Sequence, residues 1–245
     1  MLVFASELKT SRQSTTALAG RAAERPLHVT LAVVLQVRAG ALQVLLWQRA
    51  REPFSGAWAL PGGALEPGET LEASIRRHLA AKVDVREDAH LEQLATLSEP
   101  GRNPDAWELA TAYLGLVPLG VDPRVPPDTR WHPVDGLPET AFDHGGIVLA
   151  GRERLRGKLS YTNIGFALAP QSFTLARLRE IYVAALGYDV SATNLRRVLL
   201  RRGVLVATGE RRSPGPSGGR PAELFRFSRR ELEITDPFAA LRPRR

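Results

Sequence analysis

The 245-residue sequence predicts an α/β domain followed by a smaller, helix-rich domain. Three observations carry that prediction. The front half alternates β-branched runs with a single 3.6-period helix, while the back half sets two short helices close together ahead of a hairpin. The charge divides the same way. Residues 1–155 hold 16 Lys and Arg against 19 Asp and Glu, a balance of −3; residues 156–245 hold 17 against 7, a balance of +10, and all but one of those 17 are arginine. The length, at roughly 100–200 residues per domain, accommodates two cores. A basic half of this kind suits a polyanionic partner, with a basic surface kept for solubility as the plainer alternative.

Residues 1–26, rich in Ser, Thr, Ala and Arg without an apolar period, read as a flexible arm. Val29 to Val37 is a nearly unbroken aliphatic run, a strand buried on both faces. Ala39-Gly40 turns the chain, and Leu42 to Trp47 returns as the hairpin partner. Residues 50–68, dense in Pro and Gly, read as loop. From Glu69 to Val83, the i, i+4 spacing of Leu71, Ile75, Leu79 and Val83 predicts an amphipathic helix. Strands are expected at 91–97 and 108–117, a short segment at 130–134, and a helix from Asp143 to about Gly157. Next come a short helix over Asn163–Leu168 and a helix N-capped by Thr174 and closed by Gly187. A second helix runs from near Ser191 to Arg202, and strands at 204–208 and 222–227 flank a basic loop. Helix, turn, helix and hairpin in that order describe a winged helix-turn-helix.

Several functions are excluded or disfavoured at once. There is no cysteine, hence no disulfide, thiolate nucleophile or Cys-ligated metal. His28, His78, His90, His132 and His144 lack zinc-site spacing. No apolar run approaches the ~20 residues of a membrane span, and the N-terminus turns polar too soon for a signal peptide. A soluble, cytoplasmic protein without a membrane partner is expected.

The segment Trp58-Ala59-Leu60-Pro61-Gly62-Gly63 through Glu69 to Arg77 resembles the Nudix box, G-x5-E-x7-R-E-U-x-E-E-x-G-U. Gly63, Glu69, Arg77 and Leu79 fall on its glycine, first glutamate, arginine and first aliphatic positions, and Val85 closes it. The resemblance implies a Nudix sandwich, hence an α/β (α+β) fold with a winged helix behind it. Nudix hydrolases hold Mg²⁺ or Mn²⁺ on paired helix glutamates, which polarises a diphosphate and activates water. Here the pair is Ala81 and Lys82, the glutamate after the arginine is His78, and the late glycine is Asp84. Glu69, with Glu66 or Glu72, does not replace an adjacent carboxylate pair. No metal site and no catalytic residues are therefore expected.

The loss of metal ligands need not remove a nucleotide pocket. Arg49 and Arg51 end the hairpin, Phe54 and Trp58 follow, and Arg102 and Trp107 flank a polar loop; with Glu69 these are the candidate ligand residues. Guanidinium groups suit a diphosphate by paired hydrogen bonds, and an indole stacks on adenine. Trp58 is explained equally well by core packing.

On the helix after Ser191, Leu195, Val198 and Leu199 form an apolar stripe, and Asn194, Arg197 and Arg201 form a polar one at i, i+3, i+7. These three, with Arg196, Arg202 and the wing residues Arg211, Arg212 and Arg220, are the candidate DNA contacts, base edges for the helix and phosphates for the wing. Over residues 27–228 the chain resembles the Nudix-related transcriptional regulators of NAD metabolism, the NrtR type. The matching pieces are Arg77 to Lys82, Arg102-Asn103-Pro104, Tyr161-Thr162-Asn163-Ile164, Asn194-Leu195-Arg196-Arg197, Gly219-Arg220-Pro221 and Leu224-Phe225-Arg226-Phe227. Asp84 and Leu195, the latter where the family tends to an aromatic, depart from the pattern.

That resemblance implies a repressor of NAD synthesis or salvage genes, with ADP-ribose or a related nucleotide as effector and no required cofactor. It divides the chain into an arm (1–26), a ligand-sensing domain (27–157), a DNA-binding domain (158–232) and a basic tail (233–245). A homodimer on an inverted-repeat, double-stranded operator is expected, because one winged helix reads few base pairs. The rivals are a Nudix hydrolase with non-standard metal ligands and a nucleic-acid-binding tail, and an adaptor with no nucleotide ligand.

Overall fold

The computed structural model describes residues 25–83, 90–213 and 221–236. The first sheet is organised by β1 (Leu27–Arg38), buried from Val29 to Val37. Along one edge it pairs in parallel with β6 (Glu108–Leu116). Along the other it pairs antiparallel with β4 (Gly62–Ala64) near its start and β2 (Ala41–Gln48) at its end. β2 carries β3 (Trp58–Ala59) and β7 (Thr129–Pro133), and β6 carries β5 (His90–Leu97), completing a mixed seven-stranded sheet. Strands β3 and β4 lie within the stretch expected to be loop. Pairing forms there because Gly62 lets the chain pass against β1, where a Cβ would stand 2.0 Å from the Thr30 carbonyl oxygen.

Successive residues of β1 serve different cores. Ala32 and Val34 pack with Leu45, Tyr113 and the Ile75, Leu79 and Val83 stripe of α1 (Leu71–Val83). Val33 and Leu35 join the cluster that holds Ile147, Val148, Leu155 and Leu159 of α2 (His144–Tyr161). Gly151 lets α2 approach closely, since a Cβ there would lie 2.8 Å from the Val33 methyl. α2 continues a turn beyond the expected end at Gly157, so the 157/158 division falls inside one helix.

A 3-10 turn (Ile164–Ala167) and β8 (Phe173–Thr174) lead into α3 (Leu175–Leu186) and α4 (Ala192–Arg201). The caps of α3 are those the sequence announces, and Ser191 adds one at the start of α4. The Thr174 side chain accepts from the Arg177 N–H, Gly187 closes α3 at φ 75°, and the Ser191 side chain accepts from the Asn194 N–H. β9 (Leu205–Arg212) and β10 (Ala222–Phe227) form an antiparallel sheet with β8. β9 reaches further than its apolar run because Arg211 and Arg212 register against Glu223 and Ala222.

One apolar cluster runs from the sheet through Leu159 and Ile164 to Leu178, Tyr182, Leu199 and Phe225. A strap from the C-terminal side ties the junction. Asn163 donates its side-chain amide to the Glu231 carbonyl at 2.8 Å, and the Thr235 and Asp236 N–H groups donate to the Tyr161 carbonyl. The arm up to residue 24, Asp84, Val85, Arg220 and the tail beyond Asp236 lie outside the described residues. No helix among the described residues is long and apolar enough to cross a membrane.

Candidate functional site

The box helix α1 holds its charges against the preceding loop. Arg77 grips Glu69 with two hydrogen bonds of 2.8 Å and reaches the Ala64 carbonyl at 3.2 Å. The Glu66 N–H also donates to the Glu69 carboxylate. The Arg77 hydrogen bonds hold the Glu69 carboxyl down at about 2. Lys82 donates to the Gly62 carbonyl at 2.7 Å and stands 4.4 Å from the centre of the Trp47 ring. Burial, assisted by the charge of Arg49, lowers the Lys82 pKa.

This donor set does not fit a divalent cation. An ammonium occupies one of the paired-glutamate positions, and both Glu69 oxygens already accept hydrogen bonds. Glu69 here fixes the loop before α1 through Arg77 and the Glu66 N–H. Among the described residues no three His, Asp or Glu side chains are grouped so as to hold a metal.

Beyond the end of β2, the expected ligand residues Arg49 and Phe54 come together. The Arg49 guanidinium lies 4.7 Å from the centre of the Phe142 ring and donates to the Pro53 carbonyl at 2.9 Å. Phe54 meets the same ring edge-on at 4.9 Å and is 42% exposed. Arg51 is exposed on the same loop. Phe142 and its neighbour His144 were not singled out in the sequence; a lone aromatic at a helix start carries no motif. His144 is buried, its Nδ1 accepts from the Leu60 N–H at 3.0 Å, and burial pushes its pKa down to about 3.

Two expected ligand residues take other roles. Arg102 is buried and pairs with Glu108 and, through two contacts, with Asp143, the nearer at 2.7 Å. Its guanidinium fastens the 98–107 loop to the start of α2 and is not free for a diphosphate, because the fold supplies two carboxylates from distant segments. Trp58 is half-buried, packs against the core and meets His132 at 4.3 Å, which is the packing alternative. Trp107 is 52% exposed, while its carbonyl accepts from the Leu27 N–H. An open depression of about 380 Å³ lies at the far end of β1 from this cluster, but its Arg38 is engaged by Gln36 and Asp122.

The second helix of the small domain behaves differently. Leu195, Val198 and Leu199 are buried, and Arg196, Arg197 and Arg201 stand in solvent. Arg197 donates to the Asn194 amide oxygen at 2.8 Å, and Arg196 leans over Phe225 of β10 at 6.0 Å. Arg211 and Arg212 are exposed at the end of β9. Arg202 corrects an expectation. It is buried, pairs with Asp236 at 2.6 Å and donates to the Ser160 carbonyl at 2.8 Å, so it locks α4 to the strap and to α2 and does not face a groove.

Comparison with known proteins agrees with this two-part layout. Residues 26–149 match the NUDIX domain and residues 165–227 match the NrtR DNA-binding winged helix domain. The ADPR responsive transcriptional repressor NtrR of Acinetobacter baylyi is 30% identical over 219 residues, spanning 86% of each chain. The chain belongs to the NrtR family. The crystal structure of Shewanella oneidensis NrtR complexed with a 27mer DNA is 32% identical, with a TM-score of 0.69 over 82% of this chain and 93% of that one. A MutT/nudix family protein from Enterococcus faecalis, 22% identical, shares the fold with a TM-score of 0.70 over 92% of this chain and all of that one. Leu195, which departs from the NrtR pattern, is fully buried on the inner face of α4.

Proposed function

We propose that this NrtR-family chain is a sequence-specific transcriptional repressor of NAD synthesis or salvage genes, with a Nudix domain that binds ADP-ribose or a related nucleotide without hydrolysing it. The observation that carries the reading is the capped second helix of the small domain, which buries one apolar stripe and offers arginines on the other. The Acinetobacter relative, an ADPR responsive repressor, and the Shewanella NrtR complexed with DNA support it. In this reading Arg49 and Arg51 take the diphosphate, and Phe54 and Trp107 offer aromatic faces to the base. The Lys82 ammonium and the Arg77-bound Glu69 speak against metal-assisted hydrolysis, and no cofactor is required. Two copies join through the acidic Nudix domains, since two basic winged helices repel each other without DNA between them. They read an inverted repeat whose half-site centres are separated by multiples of roughly 10–10.5 base pairs.

The enzyme reading keeps one observation in its favour: the ADP-ribose pyrophosphatase of Methanocaldococcus jannaschii is 29% identical over 111 residues, 43% of this chain. One preparation tests both. ADP-ribose is expected to change the affinity for a duplex taken from upstream of an NAD-synthesis gene. It is also expected to survive incubation with Mg²⁺ or Mn²⁺. Turnover of about 1 per second or faster overturns the non-hydrolytic reading. An affinity unmoved by saturating ADP-ribose overturns the effector assignment.

A further inference from the structure

The cations of α1 are of two kinds. Arg76 and Arg77 are held by carboxylates, whereas Lys82 meets a neutral carbonyl and an aromatic face. Its bond to the Gly62 carbonyl uses one of the three donors an ammonium carries. Arg49 is placed alike, bonded to the Pro53 carbonyl and lying over Phe142. Among the described residues neither cation has a carboxylate within ion-pair distance. The two share one side of β2. The Trp47 ring that carries the Lys82 ammonium stands two residues before Arg49. The Arg49 N–H donates to the Ala57 carbonyl at 3.0 Å and so continues the β2–β3 pairing, which keeps alternate side chains on one face. The Leu60–Gly62 segment links the same groups. Leu60 accepts from the Trp47 indole N–H at 3.0 Å and donates to His144, whose ring lies 5.4 Å from Phe142. Burial and then the Arg49 charge lower the Lys82 pKa, with Asp128 acting against both.

Two neighbouring cations without carboxylate partners make a place for an anion, and an anion between them relieves their repulsion. A diphosphate suits the pair, with the guanidinium forked on one phosphoryl group and the two unused ammonium donors on the other. We infer that Lys82 and Arg49 form a metal-free clamp for the diphosphate, in which the Lys82 ammonium takes the place of the divalent cation that a Nudix hydrolase holds on its paired glutamates. The substitution separates binding from chemistry. An ammonium neutralises phosphate charge as a cation does, yet it has no open coordination position in which to lower the pKa of a water. Lys82 is then a binding residue in its own right and not only the scar of a lost glutamate. The inference rests on the proposed nucleotide binding and deepens it by naming the residue that replaces the metal.

The test is titration calorimetry of the full-length chain with ADP-ribose, first in EDTA and then in Mg²⁺. The wild-type affinity is expected to be the same in both. Lys82→Gln keeps a donor for the Gly62 carbonyl and loses the charge; it is expected to bind ADP-ribose about tenfold or more weakly. Added salt should weaken the wild-type chain more steeply than this variant, a signature that loss of packing alone does not produce. Melting curves confirm that the variant is folded, and Lys82→Met, which keeps the stem over Trp47, answers the same question should the Gln variant melt early. Three results overturn the clamp: wild-type binding that is lost in EDTA, a folded Lys82 variant that binds as tightly as wild type, or equal salt dependence in the two. Absence of ADP-ribose binding by the wild-type chain in either buffer would overturn the effector reading itself, a result separable from those three.

Discussion

Helices α1 and α4 are both rich in cationic side chains, and the fold uses them in opposite ways. On α1, Arg76 pairs with Glu72, Arg77 with Glu69 and Glu66, and Lys82 with the Gly62 carbonyl. On α4, Arg196, Arg197 and Arg201 reach solvent with no carboxylate partner among the described residues. The first set freezes a loop; the second leaves a field of donors for a polyanion. The boundary between the two behaviours falls at the C-terminal end of α4, because the capping Arg202, one residue beyond Arg201, has its side chain buried against Asp236. An arginine's role here follows from whether the fold brings a carboxylate to it, and residue type alone does not reveal that.

The sharpest way to break this contrast is to remove a buried guanidinium. Arg202→Ala removes the buried ion pair with Asp236 and the bond to the Ser160 carbonyl at the domain junction, and Arg102→Ala removes the guanidinium shared by Glu108 and Asp143. Each is expected to cost about 3–5 kcal/mol of unfolding free energy in urea titrations. Were Arg202→Ala to keep its stability and lose only DNA affinity, Arg202 would belong with the exposed set after all.

A second effect is driven by acid. His144 has its folded pKa depressed from 6.5 to about 3 by burial, and its Nδ1 accepts the Leu60 N–H, which a protonated ring cannot do. The unfolded chain therefore binds the proton first. The stabilisation is complete above the unfolded pKa and is lost as pH falls from about 6.5 toward 3, on the order of a few kcal/mol. Glu69 adds a later loss below its ordinary value near 4.5, continuing to about 2. Thermal melts between pH 7 and 4 should fall steadily, and His144→Gln should flatten that slope. An unchanged slope in the variant would place the titrating group elsewhere.

The smallest effect belongs to an exposed wing residue. Arg211→Ala is expected to weaken specific and unrelated duplex alike and to reduce the salt slope of binding by about 1, with melting temperature unmoved. A change of base preference in this variant would move the wing from phosphate contact to readout.

Much of the fold was legible because its signals are local. The buried run of β1, the i, i+4 stripe of α1 and the caps at Thr174 and Gly187 each lie within a few residues of what they specify. The strands β3 and β4 were not, since two or three residues among Pro and Gly carry no period and pair only because β1 and β2 pass beside them. The candidate site was legible in part. Arg49 and Phe54 sit where the loop after β2 placed them, yet the ring that organises them, Phe142, comes from a segment with no motif of its own.

By itself the sequence determined the two-domain order, the spacing of the box, the absence of its paired glutamates and the apolar stripe that turns α4 inward. Only the tertiary structure decided which cations are free. Arg102 meets Asp143 across 41 residues, Arg202 meets Asp236 across 34, and Lys82 meets Gly62 across 20. A period is a property of neighbouring residues on one backbone and is written in their order. A salt bridge depends on where two long side chains arrive after the cores have packed, and nothing in the local order of either segment records the other.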